Sequence, residues 1–366
     1  MKFLGRIFSR CFAVIMLLGC NIQLNAQSLR FFSADNPKFQ YVGRIDFSNP
    51  ALPKYWALGV YVTTSFNGSS CKFIVQDEVP SPNAHNYVEV VIDNYIYHRI
   101  RLQQKRDTLS FYNLKNGAHK IVLCKNTETN IGYMEFAGML CNALLEPPPL
   151  PNKRIECIGN SITCGTGSDQ SVVPCHAGVW QDQHNTYFAY GPTTARNLNA
   201  QWHLTAYSGI GLVHSYCNIA FNITNIFNQL NLQPNGIPWQ FSKYQPDVVT
   251  ICLGQNDGKQ DSAYYCKQYL YFLQTIRTQY PNAQIICLSS PMADSSLNAN
   301  LQRYITAVVQ NNWCVQDGKI SKYFLKQAYN GGCDNHPDLQ QQQLIAKQLT
   351  DYIANDLMHW KQIASH

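Results

Sequence analysis

The stretch RIECIGNSITCG, residues 154–165, places an apolar run directly before a Gly-Asn-Ser turn. The run has the length and composition of a strand buried on both faces. Similar runs recur towards the C-terminus, and stretches of helical periodicity lie between them. This alternation predicts a doubly wound α/β domain with a parallel sheet over residues 153–362. The further strands are predicted at Trp202 to Ser208, Asp247 to Gly254 and Ala283 to Ser289, and the helices at Phe188 to Leu198, Ala263 to Tyr280, Leu297 to Asn311 and Gln340 to Leu357.

The part of the chain before this domain has a different pattern. Short alternating runs between Asn-Gly and Asp-Asn turns predict an all-β sandwich or jelly-roll domain over residues 28–146. The proline-rich segment 147–152 can only be extended, so it is predicted to be a linker. The β-strands are predicted at Tyr55 to Thr64, Cys71 to Val75, Tyr87 to Ile92, Tyr95 to Leu102 and His119 to Lys125.

The first 26 residues have the layout of a secretory signal. Three basic residues precede the apolar run Cys11 to Leu18, and a short polar stretch ends at Ala26. The run is too short to span a bilayer, so we expect an exported protein that is secreted, periplasmic or held at the cell surface. Cleavage after Ala26 is favoured. Lipoprotein processing, which would leave a lipid anchor on Cys20, also fits the sequence.

Composition excludes several other classes of protein. The formal net charge is +6 over 366 residues. The charged residues are interspersed and form no basic stripe of the kind that binds nucleic acid. The spacing of Cys and His predicts no metal and no cofactor. Fourteen cysteines permit disulfides in an oxidising compartment. Cys157, Cys252 and Cys287 lie in apolar runs and are predicted to be buried core residues. The oligomeric state is left open.

Four polar segments follow predicted strands or precede the last helix, and the carboxyl ends of parallel strands meet at one edge of a sheet. Ser161 needs a base to take its proton, and the base needs a group to orient its ring; His336 and Asp334 are predicted to fill these roles. The backbone N–H groups of Ser161 and Gly209 and the amide of Asn256 are predicted to stabilise an oxyanion. Asp257 is interpreted as structural. The segments are Gly159-Asn160-Ser161, Ser208-Gly209-Ile210-Gly211, Gly254-Gln255-Asn256-Asp257 and Asp334-Asn335-His336-Pro337.

These segments resemble the signature blocks of the SGNH (GDSL-type) hydrolases, which supply Ser, Gly, Asn and His in this order. With the β domain in front, the whole is similar to carbohydrate esterase family 2 over nearly all of the chain. The resemblance implies a flavodoxin-like catalytic domain behind a jelly-roll domain. It also implies removal of acetyl groups from xylan- or glucomannan-type polysaccharide, with a leaning towards the sugar 6-position. It assigns Ser161 as nucleophile, His336 as base and Gly209 and Asn256 as oxyanion partners. The phrases that carry it are Ile158-Gly159-Asn160-Ser161-Ile162-Thr163-Cys164-Gly165, Gln245-Pro246-Asp247-Val248-Val249 and Asp334-Asn335-His336-Pro337.

Two positions depart from the family pattern. Asn160 stands where the commonest block has Asp, and Gln255 where members often have Thr. Neither position is a nucleophile, base or oxyanion donor, so the departures bear on the substrate more than on the chemistry. The family does not always keep the Asp of the triad, and a backbone carbonyl could partly replace Asp334.

The sequence therefore predicts a serine esterase that removes O-acetyl groups from carbohydrate through an acyl-enzyme. Trp239, Tyr264 and Tyr265 are candidates for stacking against a sugar, although a core or rim position suits them equally. The alternative is a carbohydrate-binding protein on an inactive hydrolase scaffold. A third hypothesis, an adhesin or structural module, rests only on the fold class of the β domain.

Overall fold

The computed structural model describes residues 28–216 and 218–362. The predicted signal segment 1–26, including Cys20, lies outside the described residues. Over these two described ranges, no helix is long and apolar enough to cross a membrane.

Before residue 146 the described chain folds into two antiparallel sheets. One sheet has the strand order β1-β10-β5-β8, with β3 also paired to β10, and the other has the order β11-β4-β9-β6-β7, with β2 paired to β4. An N-terminal β domain is thus confirmed. Its strands are β1 Arg30–Ser33, β2 Gln40–Val42, β3 Lys54–Tyr55, β4 Tyr61–Gly68, β5 Cys71–Asp77, β6 Tyr87–Ile92, β7 Ile96–Arg101, β8 Arg106–Phe111, β9 Gly117–Lys125, β10 Met134–Cys141 and β11 Ala143–Leu145.

Beyond residue 152 the chain forms a parallel sheet in the order β13-β12-β14-β15-β16. Counted from β12, this is the order 2-1-3-4-5 of flavodoxin-like folds, so the predicted fold class is confirmed. The strands are β12 Lys153–Gly159, β13 Ala200–Ala206, β14 Val248–Cys252, β15 Gln284–Leu288 and β16 Ile320–Tyr323. The α-helices are α1 Ser161–Cys164, α2 Tyr190–Asn197, α3 Ile223–Ile226, α4 Ser262–Gln279, α5 Ser295–Val309, α6 Asn312–Asp317 and α7 Leu339–Asp351, which continues as a π-helical turn over Tyr352–Leu357.

Burial follows the sequence pattern in both domains. Strand β5 alternates between buried and half-buried residues along its whole length, as expected for a strand with one face on the core. Strands β13 and β14 are buried at every residue, as expected for a parallel sheet covered by helices on both faces. Cys157, Cys252 and Cys287 are buried, as the sequence predicts.

The two domains pack through a seam that is partly aromatic. The ring of Trp202 on β13 stacks on Tyr61 of β4, with centroids 4.0 Å apart. The Trp202 indole N–H donates to the carbonyl of Gly59 at 2.9 Å. A large apolar ring with a satisfied donor is thus shared by the domains.

The seam also contains a buried ion pair. Arg44, from the loop after β2, has no exposed surface and lies 3.5 Å from the Glu156 carboxylate on β12. The guanidinium also donates to the Phe227 carbonyl at 2.8 Å and to the Thr205 hydroxyl at 2.7 Å. Removing one partner of such a pair leaves an uncompensated buried charge, which costs about 3 to 5 kcal/mol. The β domain is therefore fastened to the core strands of the hydrolase domain.

Candidate active site

Ser161 lies at the carboxyl end of β12, as the first residue of α1. The side chain of Asn160 caps this helix by accepting from the Ile162 N–H at 3.2 Å, so the amide oxygen fills an acceptor position that an Asp would also provide. A Cβ on Gly159 would lie 2.0 Å from the Thr163 hydroxyl, which explains the glycine before the turn. Ser161 exposes only 7% of its surface.

His336 lies in the loop before α7 and contacts Ser161 directly. Its Nε2 is 2.8 Å from Ser161 Oγ, and its Nδ1 is 3.0 Å from the backbone carbonyl of Cys333. A carbonyl only accepts, so Nδ1 carries the proton and donates to it, which leaves Nε2 free to accept from the serine hydroxyl. This is the tautomer that a general base for Ser161 requires.

The surroundings of His336 keep its ring neutral. Burial lowers the pKa of His336 below its ordinary value. The hydrogen bond to the Cys333 carbonyl and the negative charge of Asp334 both raise this pKa but do not cancel the effect of burial. Because the neutral imidazole is the form that acts as a base, a lowered pKa keeps His336 in this form down to a more acidic pH.

The orienting role predicted for Asp334 falls to the backbone of Cys333. Asp334 is exposed, has a left-handed backbone with φ of 51°, and its carboxylate makes no hydrogen bond within the described residues. The left-handed turn directs the chain so that the Cys333 carbonyl faces His336. The structure thus corrects the role of Asp334 from hydrogen-bond acceptor to nearby charge.

The two predicted oxyanion segments adjoin each other. Gly209 follows β13 with φ of 82°, a conformation that favours glycine. Asn256 follows β14, and its amide donates one hydrogen to the carbonyl of Ile210 at 2.8 Å, next to Gly209. The second amide hydrogen of Asn256 has no acceptor among the described residues. The oxyanion role of Ser161, Gly209 and Asn256 stays a prediction that this arrangement supports.

Asp257 holds the chain that follows Gly209. Its carboxylate is buried and accepts from three consecutive backbone N–H groups, those of Leu212, Val213 and His214, at 2.7 to 3.0 Å. A carboxylate used in this way is an anchor for a loop and not a second acid, in agreement with the sequence interpretation.

A disulfide joins the histidine loop to the segment after α1. Cys333 is bonded to Cys175, 158 residues away in the chain, and the Cys333 N–H donates to the Gly167 carbonyl at 2.8 Å. The residue whose carbonyl orients His336 is therefore held both covalently and by a hydrogen bond. The sequence could not indicate this, because spacing alone does not pair cysteines.

Two of the three predicted sugar-stacking residues are in the core, so those predictions are wrong. Tyr265 is fully buried beside Tyr269 and Tyr304, with ring centroids 6.0 and 5.2 Å away. Trp239 is 6% exposed, with the Arg44 guanidinium over one side of its ring. The Tyr265 ring packs inwards from α4, and the Trp239 ring is almost wholly covered at the seam, beside Arg44. Tyr264, the neighbour of Tyr265 on α4, is 52% exposed.

A different aromatic residue lies beside the oxyanion segment. Tyr216 is 62% exposed, and its backbone N–H donates to the Gly209 carbonyl at 2.7 Å. It borders an open hollow of about 680 Å³. The other residues that line the hollow are both polar and apolar: His214, Ser215, Asn218, Asn222 and Asn225, with Val213, Ile219, Ala220 and Phe221.

Two protein families match consecutive parts of the chain. Residues 41–149 match the carbohydrate esterase 2 N-terminal family, and residues 157–315 match the GDSL-like lipase/acylhydrolase family. Together the two matches cover most of the β domain and the hydrolase domain as far as residue 315.

The chain is similar in sequence to named enzymes and in sequence and fold to a solved structure. The cellulase/esterase CelE of Acetivibrio thermocellus is 33% identical over 340 residues, which are 88% of this chain and 40% of CelE, so the chain spans less than half of that relative. An acetylxylan esterase/glucomannan deacetylase of Cellvibrio japonicus is 27% identical over 95% of this chain and 99% of its own length. A family two carbohydrate esterase from Clostridium thermocellum, solved in complex with cellohexaose, is 31% identical over 87% of this chain and 99% of its own, with a TM-score of 0.78.

Replacing Asp334 by Asn is expected to leave most of the turnover of a chromogenic acetyl ester, because the Cys333 carbonyl still orients His336. Loss of the nearby negative charge should lower the pKa of His336 further, so the acidic limb of the kcat/KM profile should move to lower pH. His336→Ala, the comparison variant, should lower kcat by about 10⁴- to 10⁶-fold. Equal damage from both changes would contradict the role assigned to the carbonyl.

Breaking the Cys175–Cys333 disulfide by Cys175→Ser is expected to lower both stability and kcat. The crosslink should contribute about 2 to 4 kcal/mol to the free energy of unfolding, and its loss loosens the residue that orients His336. Thermal unfolding and ester turnover measure the two effects. Dithiothreitol should reproduce them in the wild type and add nothing in the variant. Wild-type turnover that is unchanged after both thiols have been released would rule out this role.

Proposed function

Because the chain belongs to family two of the carbohydrate esterases, we propose that it is a serine esterase that removes O-acetyl groups from carbohydrate. The observation that carries the proposal is the contact of 2.8 Å between Ser161 Oγ and His336 Nε2, with Nδ1 held by the Cys333 carbonyl. A binding protein on an inactive scaffold would have no need for this geometry.

The first half of the reaction transfers the acetyl group to the enzyme. Ser161 Oγ attacks the acetyl carbonyl carbon while its proton passes to His336 Nε2. The charge that develops on the carbonyl oxygen is stabilised by the N–H groups of Ser161 and Gly209 and by the free amide hydrogen of Asn256. The intermediate then collapses, the bond to the sugar oxygen breaks, and that oxygen takes the proton from His336. Acetyl-Ser161 remains.

The second half returns the enzyme to its starting state. A water molecule gives a proton to His336 Nε2 as its oxygen attacks the acetyl carbon. The same oxyanion groups stabilise the second tetrahedral intermediate. The Ser161–acetyl bond breaks, Ser161 Oγ recovers the proton from His336, and acetate leaves.

The acyl side of the site suits a small group. Ser161 is 7% exposed, and α1 behind it is buried at all four residues, so little room remains for a longer chain. An acyl group larger than its pocket forces the surrounding side chains to shift, at a typical cost of about 1 to 3 kcal/mol. Acetyl is the acyl group that we propose.

The leaving-group side suits a sugar. We propose that the sugar occupies the open hollow beside Gly209, which has both polar and apolar lining residues, and the exposed ring of Tyr216 on its border offers an apolar face. The relative named for acetylxylan and glucomannan, and the structure solved in complex with cellohexaose, support a polysaccharide. We propose an acetylated xylan or glucomannan as substrate, with acetyl at the 6-position as one candidate. The predicted signal segment supports action outside the cytoplasm.

Acetyl esters are expected to be cleaved at least 10-fold faster than butyryl esters and faster still than octanoyl esters, because overfilling the acyl pocket is penalised sterically. Chromogenic esters of the three acids measure kcat/KM. Proton NMR of acetylated xylan, glucomannan and glucose then shows which position loses acetyl. A preference for octanoyl esters would contradict a carbohydrate esterase and indicate a lipase.

A further inference from the structure

A carboxylate from the β domain reaches the segment that carries Gly209. Glu128 follows β9 and has no exposed surface. Its Oε2 accepts from the backbone N–H of Ser208 at 2.6 Å, and its Oε1 accepts from the Ser208 hydroxyl. Ser208 directly precedes Gly209. Both of its hydrogen-bond donors, the backbone N–H and the hydroxyl, are therefore bound to the Glu128 side chain of the β domain.

Glu128 also connects this segment to the nucleophile. Its Oε1 accepts from the Thr166 hydroxyl at 3.1 Å, and that hydroxyl is 2.7 Å from the Ser208 hydroxyl. The Thr166 N–H in turn donates to the carbonyl of Ser161 at 3.1 Å. One carboxylate thus joins the chain that follows β13 to the chain that follows α1.

The hydrogen bonds to Glu128 stabilise its charged form. Burial raises the pKa of Glu128, and the hydrogen bonds from Ser208 and Thr166 oppose that shift. Lys125, also buried, donates to the Glu128 backbone carbonyl at 3.2 Å. His184 Nδ1 is 3.8 Å from the carboxylate, and burial lowers the pKa of His184 to about 3, so its ring is neutral. Three hydrogen bonds to a buried carboxylate form a strong and directional anchor.

Gly209 needs such an anchor because it has no side chain of its own. A glycine at φ of 82° leaves the peptide groups on both sides free to rotate unless other contacts hold them. Asp257 holds the chain on the far side of Gly209, at Leu212 to His214. Glu128 holds it on the near side, at Ser208.

We infer that Glu128 is a positioning residue that aims the Gly209 N–H at the oxyanion. This inference rests on the proposed function, since it concerns the same site. The β domain then supplies part of the catalytic apparatus and is more than a neighbouring binding module. Displacing an oxyanion donor by about 1 Å or removing it costs about 10²-fold or more in rate, so a loss of 10- to 100-fold in kcat is expected when Glu128 is removed.

The test compares two buried carboxylates of the same seam. Glu128→Ala removes the acceptor of the Ser208 N–H. Glu89→Ala is the matched control, because Glu89 is also 1% exposed or less but accepts from Asn126 and Asn185 at 3.2 and 3.3 Å. Both variants should unfold at lower temperature. Only Glu128→Ala should lose 10- to 100-fold in kcat for a chromogenic acetyl ester, with KM little changed.

Two further variants separate positioning from a general loss of structure. Glu128→Gln keeps an oxygen for the Ser208 N–H, and its amide can donate to the two hydroxyls, so it should recover most of the kcat. Glu128→Asp keeps the charge but shortens the reach, so it should lose kcat and provides the test if the alanine variant fails to fold. Inhibition by methylboronic acid, whose tetrahedral adduct places an oxygen in the oxyanion site, should weaken in parallel with kcat.

The outcomes distinguish the inference from the proposed function. A wild type that is inactive on every acetyl ester and carbohydrate tested would overturn the proposed function, and the inference with it. An active wild type would overturn the inference alone if folded Glu128→Ala or Glu128→Asp kept kcat within about twofold. An equal loss of kcat in Glu89→Ala would do the same, because it would show a general effect of the seam.

Discussion

The charged groups buried at the seam between the domains are the constraint on which the rest of the structure depends. A buried charge is tolerated only when it is paired or hydrogen-bonded, and here most of the partners lie in the other domain or in the loop before α2. The pairing fixes how the two domains sit against each other, and segments that follow the parallel strands and form the active site lie along this seam. The β-domain members, each at most 1% exposed, are Arg44, Glu89 and Glu128.

The active site uses backbone groups where many serine hydrolases use side chains. His336 is oriented by the carbonyl of Cys333, a neutral acceptor that raises the pKa of the ring less than a hydrogen-bonded carboxylate would. A carbonyl is only as well placed as the chain that carries it. The disulfide to Cys175 and the hydrogen bond from the Cys333 N–H to the Gly167 carbonyl hold this residue in place, whereas a triad relies on a side chain.

The sequence predicts features that depend on local patterns and misses those that depend on distant pairing. The nucleophile turn at Ser161 and the positions of four of the five parallel strands follow from short motifs and apolar runs, whereas the flavodoxin-like order of the strands is implied by the family resemblance. Strand β16 has no counterpart among the predicted strands because it has only four residues and is mostly half-buried. Tyr264 and Tyr265 could not be separated because neighbours on a helix point about 100° apart, and the pattern does not tell which one faces the core. The contacts of Glu128 and the carbonyl of Cys333 join residues far apart in the chain, and no spacing indicates them.

The most direct test of the central claim, that Ser161 is a nucleophile activated by His336, is covalent labelling of the full chain with dimethyl p-nitrophenyl phosphate, whose methoxy groups are small enough for an acetyl-sized pocket. Ser161 Oγ should displace nitrophenolate, and peptide mass spectrometry should find one dimethylphosphoryl group, on Ser161. The same treatment of His336→Ala should label this serine far more slowly, because no base remains to take its proton. Absence of label on Ser161 in the wild type, or equal labelling of both proteins, would contradict the account.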